Sequence, residues 1–132
     1  MNITLSMLHD AELNAIKHDR IASTICLTFL KPDGATVEAV FEDVCGFRVV
    51  DYGQQNVVSR LLLSSTGHFS REDMIKHVNW LDSTCEGKRL INPNAVDKQV
   101  VKIESNELLL FALEPSLGAE ISIIARRFFW GN

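Results

Sequence analysis

Residues 21 to 41 constrain the fold more than any other part of the chain. Apolar and small residues alternate from Ile21 through Ile25, Leu27 and Phe29. They break at Lys31-Pro32-Asp33-Gly34 and resume with Val37, Ala39 or Val40, and Phe41. Alternation with period two buries one face of a strand. Pro-Asp-Gly is turn chemistry: proline fixes φ, aspartate bonds its own backbone and glycine accepts φ > 0. The segment predicts a β-hairpin, and with it a sheet-dominated chain.

The flanks extend this pattern. Met1 to Met7 reads as a short first strand. Ala11 to Lys17 fits either a helical turn or a strand, and a strand completes a three-stranded meander up to Phe41. Phe47-Arg48-Val49-Val50 reads as a further strand, Asp51 to Asn56 as a polar loop, and Val57 to Leu63 as a strand. That last run is too apolar for simple alternation, which predicts burial on both faces or a bulge. Ser70 is placed to cap a helix, with Glu72 and Asp73 in its first turn and Met74, Val78 and Leu81 as its apolar stripe. Ile75 and Trp80 widen the stripe, and Gly87 is a plausible stop. Leu90 to Asp97, with Pro93 and two asparagines, reads as a loop. Val100 to Glu104 and Leu108 to Leu113 read as a hairpin turned at Ser105-Asn106, and Ile121 to Trp130 as a last strand. The expected fold is α+β: a mostly antiparallel sheet of about six to eight strands in a meander of hairpins, with one main helix near residues 70–82. At 132 residues a single domain over 1–132 is expected.

Composition removes several function classes. The net charge of −4 argues against a non-specific nucleic-acid binder. No apolar run approaches the roughly 20 residues of a membrane-spanning helix, and the first residues lack signal-peptide character, so a cytoplasmic protein is expected. Cys26, Cys45 and Cys85 are odd in number and widely spaced, unlike a disulfide framework or a zinc site. Cys26 reads as a small core residue. H-E-x-x-H, the calcium loop, both phosphate-binding glycine motifs and G-x-S-x-G are missing. No metal or cofactor is expected.

Among the histidines, His9-Asp10 and His18-Asp19 place imidazole beside carboxylate, but neighbours on a strand face opposite ways. His77 lies one helical turn after Asp73, the spacing of a surface ion pair. Arg126-Arg127-Phe128-Phe129-Trp130 reads as aromatics closing the core, with the arginines available to the acidic hairpin.

Two features point toward recognition. Between Asp33 and Asp51 stand Asp33, Glu38, Glu42, Asp43 and Asp51 against one base, Arg48, a bias that attracts a basic partner if it stays solvated. The loop Asp51-Tyr52-Gly53-Gln54-Gln55-Asn56 offers an amphipathic aromatic anchor beside adaptable amides. Glu42, Asp43, Asp51, Tyr52, Gln54, Gln55 and Asn56 are therefore the candidate partner-binding residues.

Leu8-His9-Asp10-Ala11-Glu12-Leu13, Asp33-Gly34 and Phe41-Glu42-Asp43-Val44-Cys45-Gly46-Phe47-Arg48-Val49 resemble small sheet-rich bacterial immunity proteins of polymorphic or contact-dependent toxin systems. The resemblance spans residues 8 to 63. It implies a non-enzymatic protein that binds and neutralises a cognate toxin domain, such as a nuclease. It assigns no individual residue, so the site residues rest on charge and loop chemistry. Two alternatives stay open: a small enzyme using His9 or His68 near Asp10 or Tyr52, and a homo-oligomeric subunit pairing through an edge such as Ile121–Trp130.

Overall fold

The computed structural model of the protein describes residues 4–67, 69–82 and 93–131. Six strands form a closed antiparallel barrel. In chain order they are β1 (Glu12–Asp19), β2 (Thr24–Leu30), β3 (Thr36–Val50), β4 (Val57–Leu63), β5 (Leu109–Leu117) and β6 (Glu120–Gly131). Around the barrel the order is β1-β2-β3-β6-β5-β4. Helices α1 (Arg71–Asp82) and α2 (Pro93–Glu104) both lie between β4 and β5. The α+β, mainly antiparallel architecture is the one the hairpin predicts.

The hairpin itself forms as its residues require. Lys31 N–H donates to Ala35 O (2.8 Å), Gly34 N–H donates to Lys31 O (2.9 Å), and Asp33 Oδ1 accepts the Ala35 amide (2.9 Å). Gly34 sits at φ +90°, where a side chain is strained. Leu13, Ile25, Leu27, Phe29, Val37, Ala39 and Phe41 turn inward and meet Phe111, Leu113, Ile121 and Ile123 in the barrel core. The strand begins at Thr24 and not at Ile21, which is 98% exposed in the β1–β2 turn. Cys26 corrects its core assignment: it lies on the opposite face from Ile25 and Leu27, half-buried, with its thiol donating to Glu38 Oε2 at 3.3 Å. Burial, then Glu38, pushes that thiol's pKa up.

A second core lies outside the barrel. Phe69, Met74, Val78 and Leu81 of the α1 region and Val96, Val100 and Ile103 of α2 pack on Leu62, Leu110, Ala112 and Ile124. Strands β4, β5 and β6 are thus apolar on both faces, which explains Leu61-Leu62-Leu63. Bulges around Val58 add to the irregularity. The expected helix forms, and Ser70 Oγ accepts the Asp73 amide at its start (3.1 Å).

Helix α2 (Pro93–Glu104) corrects the described part of the expected loop over 90–97 and the expected strand over 100–104; residues 90–92 lie outside the described residues. Pro93 occupies the first helical position, where its missing N–H costs nothing. Val96, Val100 and Ile103 fall at helical spacing onto the barrel. Ser105-Asn106 is the helix's C-terminal turn, with Asn106 at φ 63°. Strand β3 is one 15-residue element where two strands were expected, because a bulge at Asp43–Gly46 bends it without ending it. Leu5–Leu8 is a short 3-10 helix where a first strand was expected. Residues 1–3, His68, Cys85 and Gly87 lie outside the described residues.

Candidate functional site

Strands β3 and β4 are not neighbours in the barrel, so the loop joining them must cross its rim. Asn56 fixes that crossing. Its Oδ1 accepts the amides of Gly53 (2.9 Å) and Ala119 (3.0 Å), and its Nδ2 donates to Gly53 O (2.9 Å) and Leu13 O (3.4 Å). Its backbone carbonyl accepts the Leu13 amide at 2.7 Å. One side chain therefore ties the loop to β1 and to the β5–β6 turn. Gly118 in that turn has φ +83°, and a Cβ there would lie 2.5 Å from Asn56 Oδ1.

This removes Asn56 from the recognition surface proposed from sequence. It is 3% exposed and its polar atoms are all engaged inward. Asp51, Tyr52, Gln54 and Gln55 remain exposed on the loop. Tyr52 is 47% exposed, with its hydroxyl donating to Asn14 O at 3.3 Å. Its ring is held by one end and open to solvent on the rest.

Glu42 and Asp43 do not join this loop. Asp51 follows Asp43 by eight positions, just past the end of β3, roughly 25 Å at strand spacing. Both acids face Arg127, whose Nε lies 3.1 Å from Glu42 Oε1 and whose Nη2 lies 3.1 Å from Asp43 Oδ2. The pairing anticipated between the terminal arginines and the acidic hairpin is made by Arg127 and not by Arg126, and it lowers the hairpin's field. Asp33 pairs with Lys31 (3.6 Å) and Glu38 accepts the Cys26 thiol. Of the five carboxylates, Asp51 alone has neither a cation nor a side-chain donor against it among the described residues. Arg48, the base in that segment, lies over the Trp80 ring, 4.5 Å from its centroid, and donates to Trp80 O at 2.9 Å.

His77 also departs from expectation. It does not pair with Asp73 on the surface; it is 3% exposed beneath α1. Its Nδ1 shares a 2.9 Å hydrogen bond with Ser122 Oγ, and its Nε2 lies 3.5 Å from Glu114 Oε2 without hydrogen-bond alignment. Arg60 clasps the same carboxylate through Nε and Nη2, each at 3.0 Å. Desolvation holds the His77 pKa below its ordinary value against the opposing pull of Glu114. Serine, histidine and carboxylate are the parts of a nucleophilic triad. Here the serine is fully buried, so the set links α1 to the barrel and offers no nucleophile to solvent.

A groove of about 880 Å³ opens at the opposite end of the barrel, where the 3-10 helix and not β1 flanks β4. Leu5, Leu61, Leu63 and Trp130 make its apolar walls, with His9 and Arg60 at its polar positions. His9 Nδ1 lies 3.3 Å from Asp10 Oδ2, both well exposed. Asp10 has φ 67°, which is how adjacent residues off a regular strand bring their side chains together. Sequence alternation could not reveal this pair.

Comparison of the chain with protein-family models, curated proteins and solved structures returns no match. Its function is therefore argued from its own geometry.

Proposed function

We propose that the protein is a non-enzymatic binding protein that engages a protein partner through the Asp51–Gln55 loop, in the manner of an immunity protein covering a toxin domain. The observation that carries this reading is the pinning of the loop by Asn56. A loop tied at four side-chain hydrogen bonds loses little entropy on docking. It presents a half-exposed tyrosine, the type of side chain that dominates interface energetics. Asp51, with its charge unspent, gives the loop a negative edge suited to a basic partner. Glu42 and Asp43 contribute less, because Arg127 offsets one of their two charges.

The test is capture from lysate with the wild type, Tyr52→Ala and Asp51→Lys side by side. A partner retained by the wild type should be lost by Tyr52→Ala, a weakening of about thirtyfold or more for an interface anchor. Asp51→Lys should weaken retention at low salt and matter less at high salt. A partner held equally by all three proteins would refute the loop's role.

A second reading rests on His9-Asp10 at the wall of the 880 Å³ groove. A histidine beside a carboxylate in an apolar cleft is equipped for general-base work. Turnover of any substrate abolished by His9→Gln, with unchanged unfolding behaviour, would favour this reading over the first.

A further inference from the structure

Between α2 and the bulged corner of β3 and β6 lies a smaller concavity of about 320 Å³. Ala95, Lys98, Gln99 and Lys102 form one wall, Arg126 and Cys45 the other, and Leu108 is buried at its base. We infer that this concavity binds a small phosphate-bearing anion, gripped by Lys98, Lys102 and Arg126. The inference is independent of the loop and its proposed partner.

The backbone explains how these residues converge. Positions 95, 98, 99 and 102 share one stripe of α2, beside the stripe of Val96, Val100 and Ile103 that enters the second core. On β6 the inward positions Ala125 and Phe128 are three apart, so Arg126 and Arg127 both stay outside the barrel. Arg127 turns to Glu42 and Asp43; Arg126 turns to α2. The β3 bulge opposite places Cys45 outside the ladder, exposed, with its thiol 3.5 Å from Asp43 O.

Charge is the deciding observation. Arg60, Arg71, Arg127 and Lys31 each lie within ion-pair distance of a carboxylate. Lys98, Lys102 and Arg126 have no such partner among the described residues. Asp43 pairs with Arg127 and Glu104 with Arg71, and Asp97 and Glu107, next in sequence to Lys98 and Leu108, make no ion pair with these three cations among the described residues. Like charges at i, i+4 on a helix repel, so Lys98 and Lys102 weaken α2 slightly. Lys102 in the last turn gains from the helix dipole, but neither Lys98 nor Arg126 has that compensation. In a chain of net charge −4, three cations without a carboxylate partner among the described residues surround one hollow and make a local field that an anion neutralises. The guanidinium fork suits phosphate oxygens, the two ammonium groups supply point charges, and Gln99 adds an amide donor. The volume lies at the lower end of small-ligand cavities, which suits a phosphate-bearing group and not an extended polyanion.

Calorimetric titration with inorganic pyrophosphate at low ionic strength tests the site. The wild type should bind one equivalent saturably. Arg126→Ala and Lys98→Ala should each weaken binding by at least about tenfold, as expected for loss of one charge-assisted contact. Lys17→Ala, which removes an exposed cation on β1, should leave it unchanged. Pyrophosphate should also slow alkylation of Cys45 by iodoacetamide, followed by peptide mapping, and leave Cys26 unaffected. The inference is overturned by an absence of binding, by equal weakening in Lys17→Ala and Arg126→Ala, or by an unprotected Cys45. Thermal unfolding of each variant verifies that the surface substitutions leave the fold intact.

Discussion

Replacing Asn56 by alanine should destabilise the protein by about 3–4 kcal/mol, far more than its place in a polar surface loop suggests. The side chain makes four hydrogen bonds. Two of them involve Gly53, which is exposed, so water replaces them at small net cost. The other two involve the Ala119 amide and the Leu13 carbonyl, in residues 0% and 2% exposed. A buried polar group left without its partner costs about 1–3 kcal/mol. The Ala119 bond, at 3.0 Å, belongs at the upper part of that range and the Leu13 bond, at 3.4 Å, at the lower. Loss of the loop's anchorage to β1 adds to their sum. For a chain of this length each kcal/mol corresponds to roughly 4 °C, so Tm should fall by roughly 12–16 °C. Urea unfolding should show a lower midpoint at unchanged slope. Gln54→Ala and Gln55→Ala, two and one positions away but exposed, should stay within about 0.5 kcal/mol of the wild type. An Asn56→Ala loss below about 1 kcal/mol, or one matched by Gln54→Ala, would refute the account of the loop.

Gly34 and Gly118 share a positive φ but not their surroundings. Gly34→Ala, with nothing within 4 Å of the added Cβ, should cost only about 1–2 kcal/mol of backbone strain, whereas Gly118→Ala also drives a methyl into the Gln55 carbonyl at 2.6 Å and should cost several kcal/mol by denaturant unfolding. His77 has a folded-state pKa below its ordinary 6.5, so the unfolded chain takes up its proton first on acidification. Stability should be fully retained above pH 6.5 and decline as pH falls toward and through the lowered value. In His77→Gln this part of the pH–stability slope should vanish, and an unaltered slope would assign it elsewhere. Cys45, exposed, should react with iodoacetamide faster than Cys26, whose thiol is half-buried with a raised pKa; equal rates by peptide mapping would contradict the burial of Cys26 against Glu38.

The legible parts of the fold are those where local chemistry and tertiary packing agree. The 31–35 turn, the Ser70 cap and the Met74, Val78, Leu81 stripe depend on neighbours in sequence, and each forms as its residues predict. Helix α2 was readable in principle, since Val96, Val100 and Ile103 carry helical spacing. Pro93 reads as a breaker by its composition, yet proline is also a favoured first helical residue. The closure of the sheet was not readable, because it depends on pairing between Glu12 and Val57 and on a loop crossing the rim. The same loop shows the limit for the site. Gly, Gln and Asn mark it as polar, but only the approach of Ala119 and Leu13 separates the buried Asn56 from the exposed Gln55 beside it.

Charge shows the same limit more sharply. Counted along the chain, residues 33 to 51 are the acidic face of the protein. In three dimensions Arg127, Lys31 and the Cys26 thiol engage four of those five carboxylates. Asp51 on the rim loop is the carboxylate of the five that none of these groups engages. Three cations without a carboxylate partner among the described residues gather instead from positions 98, 102 and 126, too far apart in sequence for any charge-patterning argument to join them. Both outcomes follow from the β3–β6 corner, where a bulge facing a three-residue core spacing sends Arg126 and Arg127 outward to different sides. One arginine offsets part of the charge that sequence made prominent, and the other completes a cluster that sequence left dispersed. A charge reversal at Arg127 should accordingly strengthen the negative field around Glu42 and Asp43 and leave pyrophosphate binding intact. The same reversal at Arg126 should abolish that binding without altering retention of a protein partner by Tyr52. If either substitution produced the other's effect, the two surfaces would not be separate, and the division of the molecule into a recognition rim and an anion pocket would fail.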